Sequence, residues 1–190
     1  MESTVHIDKN FNSINFIEQE STQREFEKCV FTNCDFSNTV FASSKFIDCV
    51  FKGCNLSMVK LKNCQLNDVA FKDCKILGVN FSDCIDFLFT VKFENCILNY
   101  SIFSKKKMHK TAFINSSLTH VDFTSCDLSK SIFTNTDLLN TVFNSTNLKE
   151  VDFSSAFNIN INPETNQIKK AKFSVNGALG LLNKYDIVVE

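Results

Sequence analysis

A large apolar residue returns at every fifth position along most of this chain. The series runs Phe26, Phe31, Phe36, Phe41, Phe46, Phe51, Leu56, Leu61, Leu66, Phe71, Ile76, Phe81. After a slip of two residues it resumes as Phe93, Leu98, Phe103, Met108, Phe113, Leu118, Phe123, Leu128, Phe133, Leu138, Phe143, Leu148, Phe153. An amphipathic helix repeats its apolar positions about every 3.6 residues and a half-buried strand about every 2, so neither element keeps this set on one face. A fixed period sustained this long predicts a solenoid, whose units bury their apolar faces only against neighbouring units.

Call the apolar position the centre of its unit. The slot two residues earlier holds Cys29, Cys34, Thr39, Ser44, Cys49, Cys54, Val59, Cys64, Val69, Cys74, Val79 and Cys84. Further on it holds Val91, Cys96, Ser101, Lys106, Thr111, Ser116, Val121, Cys126, Ser131, Thr136, Thr141, Thr146 and Val151. Residues two apart on an extended chain point the same way, so the slot shares the interior with the centre and admits small side chains. The other positions are mostly polar, as in Ser37-Asn38, Lys72-Asp73 and Asn144-Ser145, and are expected to face water. Asn, Asp and Ser also suit a chain that bends once per unit.

The nine cysteines all fall in the slot, with no C-x-x-C pair and only His6, His109 and His120 as further soft ligands. That distribution argues against zinc and against a disulfide framework, and reads the thiols as small buried apolar groups. The 190 residues fit one elongated domain. Formal net charge is −1, from 20 basic and 21 acidic residues, so no global field favours nucleic acid or an acidic membrane. No basic segment followed by an apolar run opens the chain, which reads as soluble and cytoplasmic. One proline and four glycines leave no Gly-rich phosphate loop. No Ser or Cys pairs with a His at a recognisable spacing, so no catalytic residue, metal site or cofactor is expected.

Units such as Cys34-Asp35-Phe36-Ser37-Asn38, Val121-Asp122-Phe123-Thr124-Ser125 and Cys126-Asp127-Leu128-Ser129-Lys130 resemble the pentapeptide repeat, small-(Asp/Asn)-(Leu/Phe)-(Ser/Thr)-X, over about residues 9 to 157. The resemblance implies an all-β fold, a right-handed quadrilateral parallel β-helix with four units per coil. Residues twenty apart would then stack, placing Phe93, Phe113, Phe133 and Phe153 in one column opposite Phe103, Phe123 and Phe143. The repeat region is assigned to 1–175 and a C-terminal unit to 176–190.

Two segments break the period. The two-residue insertion near 85–92 brings Phe87 and Phe89 out of register beside Asp86, either as a projecting corner able to dock a partner or as a tucked corner filling a gap. Residues 158–170 read as a loop or a degenerate coil. In the tail, Asn176 to Tyr185 read as a short helix with Asn176 as its cap, and Asp186 to Glu190 as a strand.

This tail is similar to that of the Qnr-type quinolone-resistance proteins, in which it joins two β-helices into a rod-shaped dimer. The similarity implies a homodimer through Leu179, Leu181, Leu182, Tyr185, Ile187, Val188 and Val189; a monomeric cap is the alternative. It also implies a non-enzymatic partner of DNA gyrase or topoisomerase IV that mimics duplex DNA and modulates quinolone action. The charge pattern departs from such mimicry. Val30, Val50, Ala70, Ala112 and Ile132 on one face, and Lys60 and Lys62 on another, leave no continuous acidic stripe. An interaction scaffold for a different protein is the alternative, and anion or nucleic-acid binding by the run Lys105, Lys106, Lys107, His109, Lys110 a weaker one.

Overall fold

The computed structural model describes residues 5–17 and 19–188. The chain winds into a parallel β-solenoid of about eight coils. One side is a nine-stranded parallel sheet that begins with Asn10–Asn12, Val30–Thr32 and Val50–Lys52 and ends with Lys172–Phe173. A second side begins as the four-stranded sheet Val5–Ile7, Glu25–Glu27, Lys45–Ile47 and Gln65–Asn67. The other two sides are stitched by single bridges such as Asn15 to Asp35 to Asn55 and Glu20 to Val40 to Lys60. In every case below the insertion the register is twenty residues, four units of five.

The corners explain the polar positions. The last residue of almost every unit has a positive φ, from Asp8 and Ser13 through Asn33, Asn38 and Asn63 to Asn140, Ser145 and Glu150. Left-handed backbone is disfavoured most for β-branched side chains, and no Val, Ile or Thr occupies any of these positions. Asparagine recurs there because its short amide tolerates the conformation.

Centres and slots alternate inward. Coil spacing sets the ring spacing: Phe11, Phe31, Phe51, Phe71, Phe93, Phe113, Phe133, Phe153 and Phe173 form one ladder, with successive centroids 4.6 to 5.4 Å apart. The opposite column of Phe81, Phe103, Phe123 and Phe143 meets it edge to face. Each such ring contributes about 1.5–3 kcal/mol by burial, and its aromatic contacts add about 0.5–1.5 kcal/mol.

The nine thiols are all buried and free, and they do more than fill space. Cys49 Sγ donates to the carbonyl of Phe26 (3.3 Å), Cys54 to Phe31 (3.4 Å) and Cys74 to Phe51 (3.4 Å), each the centre residue one coil below. In the upper coils hydroxyls make the same bond: Ser131 to Met108 (3.0 Å), Thr136 to Phe113 (3.0 Å) and Thr146 to Phe123 (2.8 Å). Burial pushes the Cys49 and Cys126 thiols up to about 12.

Through residues 158–170 the winding continues: Ile159 and Ile161 are buried, and Asn147 bridges Gln167. Asn166 takes the slot role there, its amide donating to the Phe143 carbonyl (2.9 Å). The tail differs from its sequence reading in two respects. The helix spans Val175–Leu179 and is capped by Ser174, whose Oγ accepts from the Gly177 amide (2.9 Å), so Asn176 is not the cap. Residues 183–185 follow as a 3₁₀ turn, and no strand forms over Asp186, Ile187 and Val188. A short polar turn with no neighbouring strand edge leaves those β-branched residues without a ladder to join. Gly180 lets this cap close on the last coil, because any Cβ there would overlap the Ile159 carbonyl.

Candidate interaction surfaces

The insertion occupies the side that carries the four-stranded sheet. Its preceding corner, Phe81–Asp83, closes as a 3₁₀ turn instead of a left-handed one, with Asn80 Oδ1 accepting from the Ser82 amide. The chain then bulges through Ile85, Asp86, Phe87 and Leu88, all exposed, and returns at Phe89. Register with the coil below becomes 22 residues, Val69 to Val91 and Phe71 to Phe93, so the insertion is absorbed at one corner without disturbing the other three sides.

The two out-of-register rings part company. Phe89 turns inward, 6% exposed and edge-on to Phe81, while Phe87 projects with 70% of its surface exposed. The corner is therefore both tucked and projecting. Asp86, at the position a centre residue would hold, points out of the core instead.

Room under the bulge is taken by a residue that sequence reasoning grouped with a solvated basic run. Lys106 sits in the slot above Cys84 and is 2% exposed. Its ammonium donates to the Cys84 carbonyl and to Asp86 Oδ1 (2.6 Å), and lies 5.2 Å from the Phe89 ring centroid. A lysine fits a slot that elsewhere holds small residues only because the coil below is two residues longer there. The signal was present in the sequence: the one long side chain among the slots from Cys29 to Val151 lies one coil after the insertion. The five-residue basic run is thus split, with Lys105, Lys107, His109 and Lys110 outside and Lys106 inside.

The tail brings together the expected apolar residues in part. Leu181 packs on the core and Leu182 is half-buried, while Leu179, Tyr185, Ile187 and Val188 are exposed. Val175 is a further exposed apolar residue, and Val189 lies outside the described residues. Glu164 anchors the tail, accepting from Tyr185 OH (3.2 Å) and pairing with Lys184.

On the nine-stranded side Val30, Val50 and Ala70 form the expected outward stripe, interrupted by Lys92 and resumed by Ala112 and Ile132. The recurring aspartates are occupied by turns. Asp127 Oδ1 accepts from the Ser129 amide (2.9 Å) and hydroxyl (2.6 Å), and Asp152 binds Ser154 in the same way. The Ser154 donors hold the Asp152 carboxyl below its ordinary value. Asp35, Asp122 and Asp127 are also lowered: burial acts to raise each, and the bonds from the residue two positions on, Ser37, Thr124 and Ser129, outweigh it. Among the described residues no three His, Cys, Asp or Glu side chains gather where they could hold a metal, and no helix is long and apolar enough to cross a membrane.

The sequence profile of the pentapeptide repeat region matches residues 24–103 and 87–154. This chain belongs to the pentapeptide repeat family. No curated protein matches by sequence. Among solved structures, a trypsin-treated variant of QnrB1, a plasmid-mediated fluoroquinolone resistance protein, is 17% identical with a TM-score of 0.74, over 98% of this chain and 97% of that one. HetL from the cyanobacterium Nostoc, a pentapeptide repeat protein involved in regulating heterocyst differentiation, is 11% identical with a TM-score of 0.71, over 90% and 87%. The shared feature is the fold, and pentapeptide repeat architecture serves different ends in the two proteins.

Proposed function

We propose that this pentapeptide repeat protein is a non-catalytic protein-binding rod, and that it modulates DNA gyrase or topoisomerase IV as a homodimer joined through its C-terminal tail. The observation that supports binding over catalysis is the use of the interior: centres, thiols, hydroxyls and Lys106 fill it with packing and backbone bonds. The contact surfaces are the corner Asp86 and Phe87, with Phe87 as the exposed anchor and Phe89 packed inside beneath it, and the apolar tail. The topoisomerase reading draws on the QnrB1 likeness and on the exposed apolar residues of the tail. The purified chain, added at micromolar concentration to a gyrase supercoiling assay with ciprofloxacin, is expected to reduce drug inhibition; no change in supercoiling or in drug-induced cleavage defeats this reading.

A scaffold for another protein is the second reading, and the surface charge favours it. DNA mimicry needs free negative potential. Here Val30, Val50 and Ala70, followed by Lys92, line the nine-stranded side, which leaves that face without a continuous acidic stripe.

A further inference from the structure

Charge is sorted along one edge of the rod. At the corner that leads from the insertion side to the nine-stranded side, the coils below the bulge carry Asp8, Asp48 and Asp68, and one lysine, Lys28, which is paired with Glu27. Above it the stacked turns carry Lys110, Lys130, Lys149 with Glu150, and Lys169 with Lys170. The stacking is direct: the Lys110 amide donates to Ser129 O (3.0 Å), Lys130 to Lys149 O (2.9 Å) and Glu150 to Lys169 O (3.0 Å). These five lysines are exposed, and none forms an ion pair among the described residues. Of the lower-coil lysines, Lys28, Lys45 and Lys72 pair with Glu27, Glu25 and Glu94, and the others, such as Lys60, Lys62 and Lys75, stand on different sides and form no such row. In a chain of net charge −1, an unpaired row confined to one corner is a local feature and not a consequence of composition.

We propose that this ridge docks an acidic helical face of a protein partner, one carboxylate per turn. Coil spacing is about 4.8 Å. A helix advances about 5.4 Å per turn, so over three intervals the mismatch is about 2 Å, within the reach of a lysine stem. Glu150 in the third coil decides between polyanions. A polypeptide can leave a neutral residue opposite it, whereas a phosphodiester backbone sets a charge at every nucleotide. The one exposed ring on these turns, His109, is engaged by Ser129 Oγ (3.0 Å), and no Phe, Tyr or Trp stands there to stack a base.

The proposal rests on the protein-binding reading but not on a topoisomerase as partner, so a null supercoiling result leaves it standing. The test titrates the full chain against a labelled alanine-based helical peptide carrying Glu at alternating spacings of four and three residues, about one per turn on one face, its Gln counterpart, and a DNA duplex of equal length. The Glu peptide is expected to bind, to weaken as salt rises, and to lose about ten-fold or more on the triple variant K110E/K130E/K149E. Glu150 shows that glutamate is tolerated in this turn conformation. The double variant K60E/K62E, on another side, should bind like the parent. No binding of the Glu peptide, equal binding of the Gln peptide, equal loss in the K60E/K62E control, or tighter binding of the duplex would each overturn the proposal.

Discussion

Below the insertion the interior slot is filled mainly by thiols, above it mainly by hydroxyls, yet both donate to the carbonyl of the centre residue one coil down. Sulfur bonds of 3.3 to 3.5 Å recur in Cys29, Cys34, Cys49, Cys54 and Cys74. Oxygen bonds of 2.8 to 3.0 Å recur in Ser131, Thr136, Thr141 and Thr146. What the slot requires is therefore a small volume with a donor at its tip, and Val59, Val69 and Val121 show that volume is the stricter demand. Lys106 sits at the junction of the two regions: it carries a donor at its tip but breaks the size rule, and its bonds go to the Cys84 carbonyl and Asp86 instead of to a centre.

The junction is where the comparison breaks most visibly. Lys106→Ala removes a buried stem and the donor to Cys84 O and Asp86 at once. Asp86 remains in water, its side chain 69% exposed, so the uncompensated-charge penalty of a fully buried pair does not apply. The expected loss is about 2–3 kcal/mol, mostly cavity, read from urea denaturation. Chymotrypsin should then cleave at Phe87 or Leu88 in the folded variant but not in the parent. Unchanged stability together with unchanged resistance would show that the bulge holds itself. Lys106→Met keeps the stem and should cost about 1 kcal/mol, the value of the lost hydrogen bonding.

The donor rule is sharpened by paired substitutions in the two regions. Thr146→Val keeps shape and deletes a 2.8 Å bond to Phe123 O, for an expected cost of about 1 kcal/mol. Cys49→Val deletes a 3.3 Å bond from a weak donor, and Val69 already occupies the same slot one coil above. Its expected cost is below about 0.5 kcal/mol. Equal costs at the two sites would mean that the slot bonds contribute nothing and size alone decides.

The sequence carried the regular coils almost whole, because a period of five assigns every side chain to inside or outside once the first centre is known. Phe113 and Phe133, twenty residues apart, stack at 4.8 Å as the register requires. What it left open lies where the register slips. At 85–90 the period no longer says which ring turns inward, so Phe87 and Phe89 are indistinguishable there, and Lys106, a slot residue by register, is also one of a basic run with Lys105 and Lys107, so the two readings of it conflict. The tail obeys local capping chemistry, with Ser174 three residues before Gly177, and there the five-residue period gives no guidance. Thiol donors were hidden for another reason: slot position fixes burial but not which backbone carbonyl lies within reach.

Acid should separate the two regions most gently. The carboxyls held low by turn bonds are Asp122, Asp127 and Asp152 above the insertion and Asp35 below it. A folded-state pKa below the unfolded value means the unfolded chain binds protons first, so each group contributes stability above the ordinary 3.8 and loses it as pH falls through the folded value. All four are partly exposed, and solvent screening keeps each contribution small. Between pH 5 and about pH 3, amide exchange corrected for intrinsic rate should accelerate first at the turns Asp122–Thr124, Asp127–Ser129 and Asp152–Ser154. The Asp152→Asn variant keeps an acceptor for the Ser154 amide without a titrating proton, so it should remove the acid response at its own turn and leave the others. Uniform acceleration across lower and upper coils would show instead that acid acts through net charge on the whole rod.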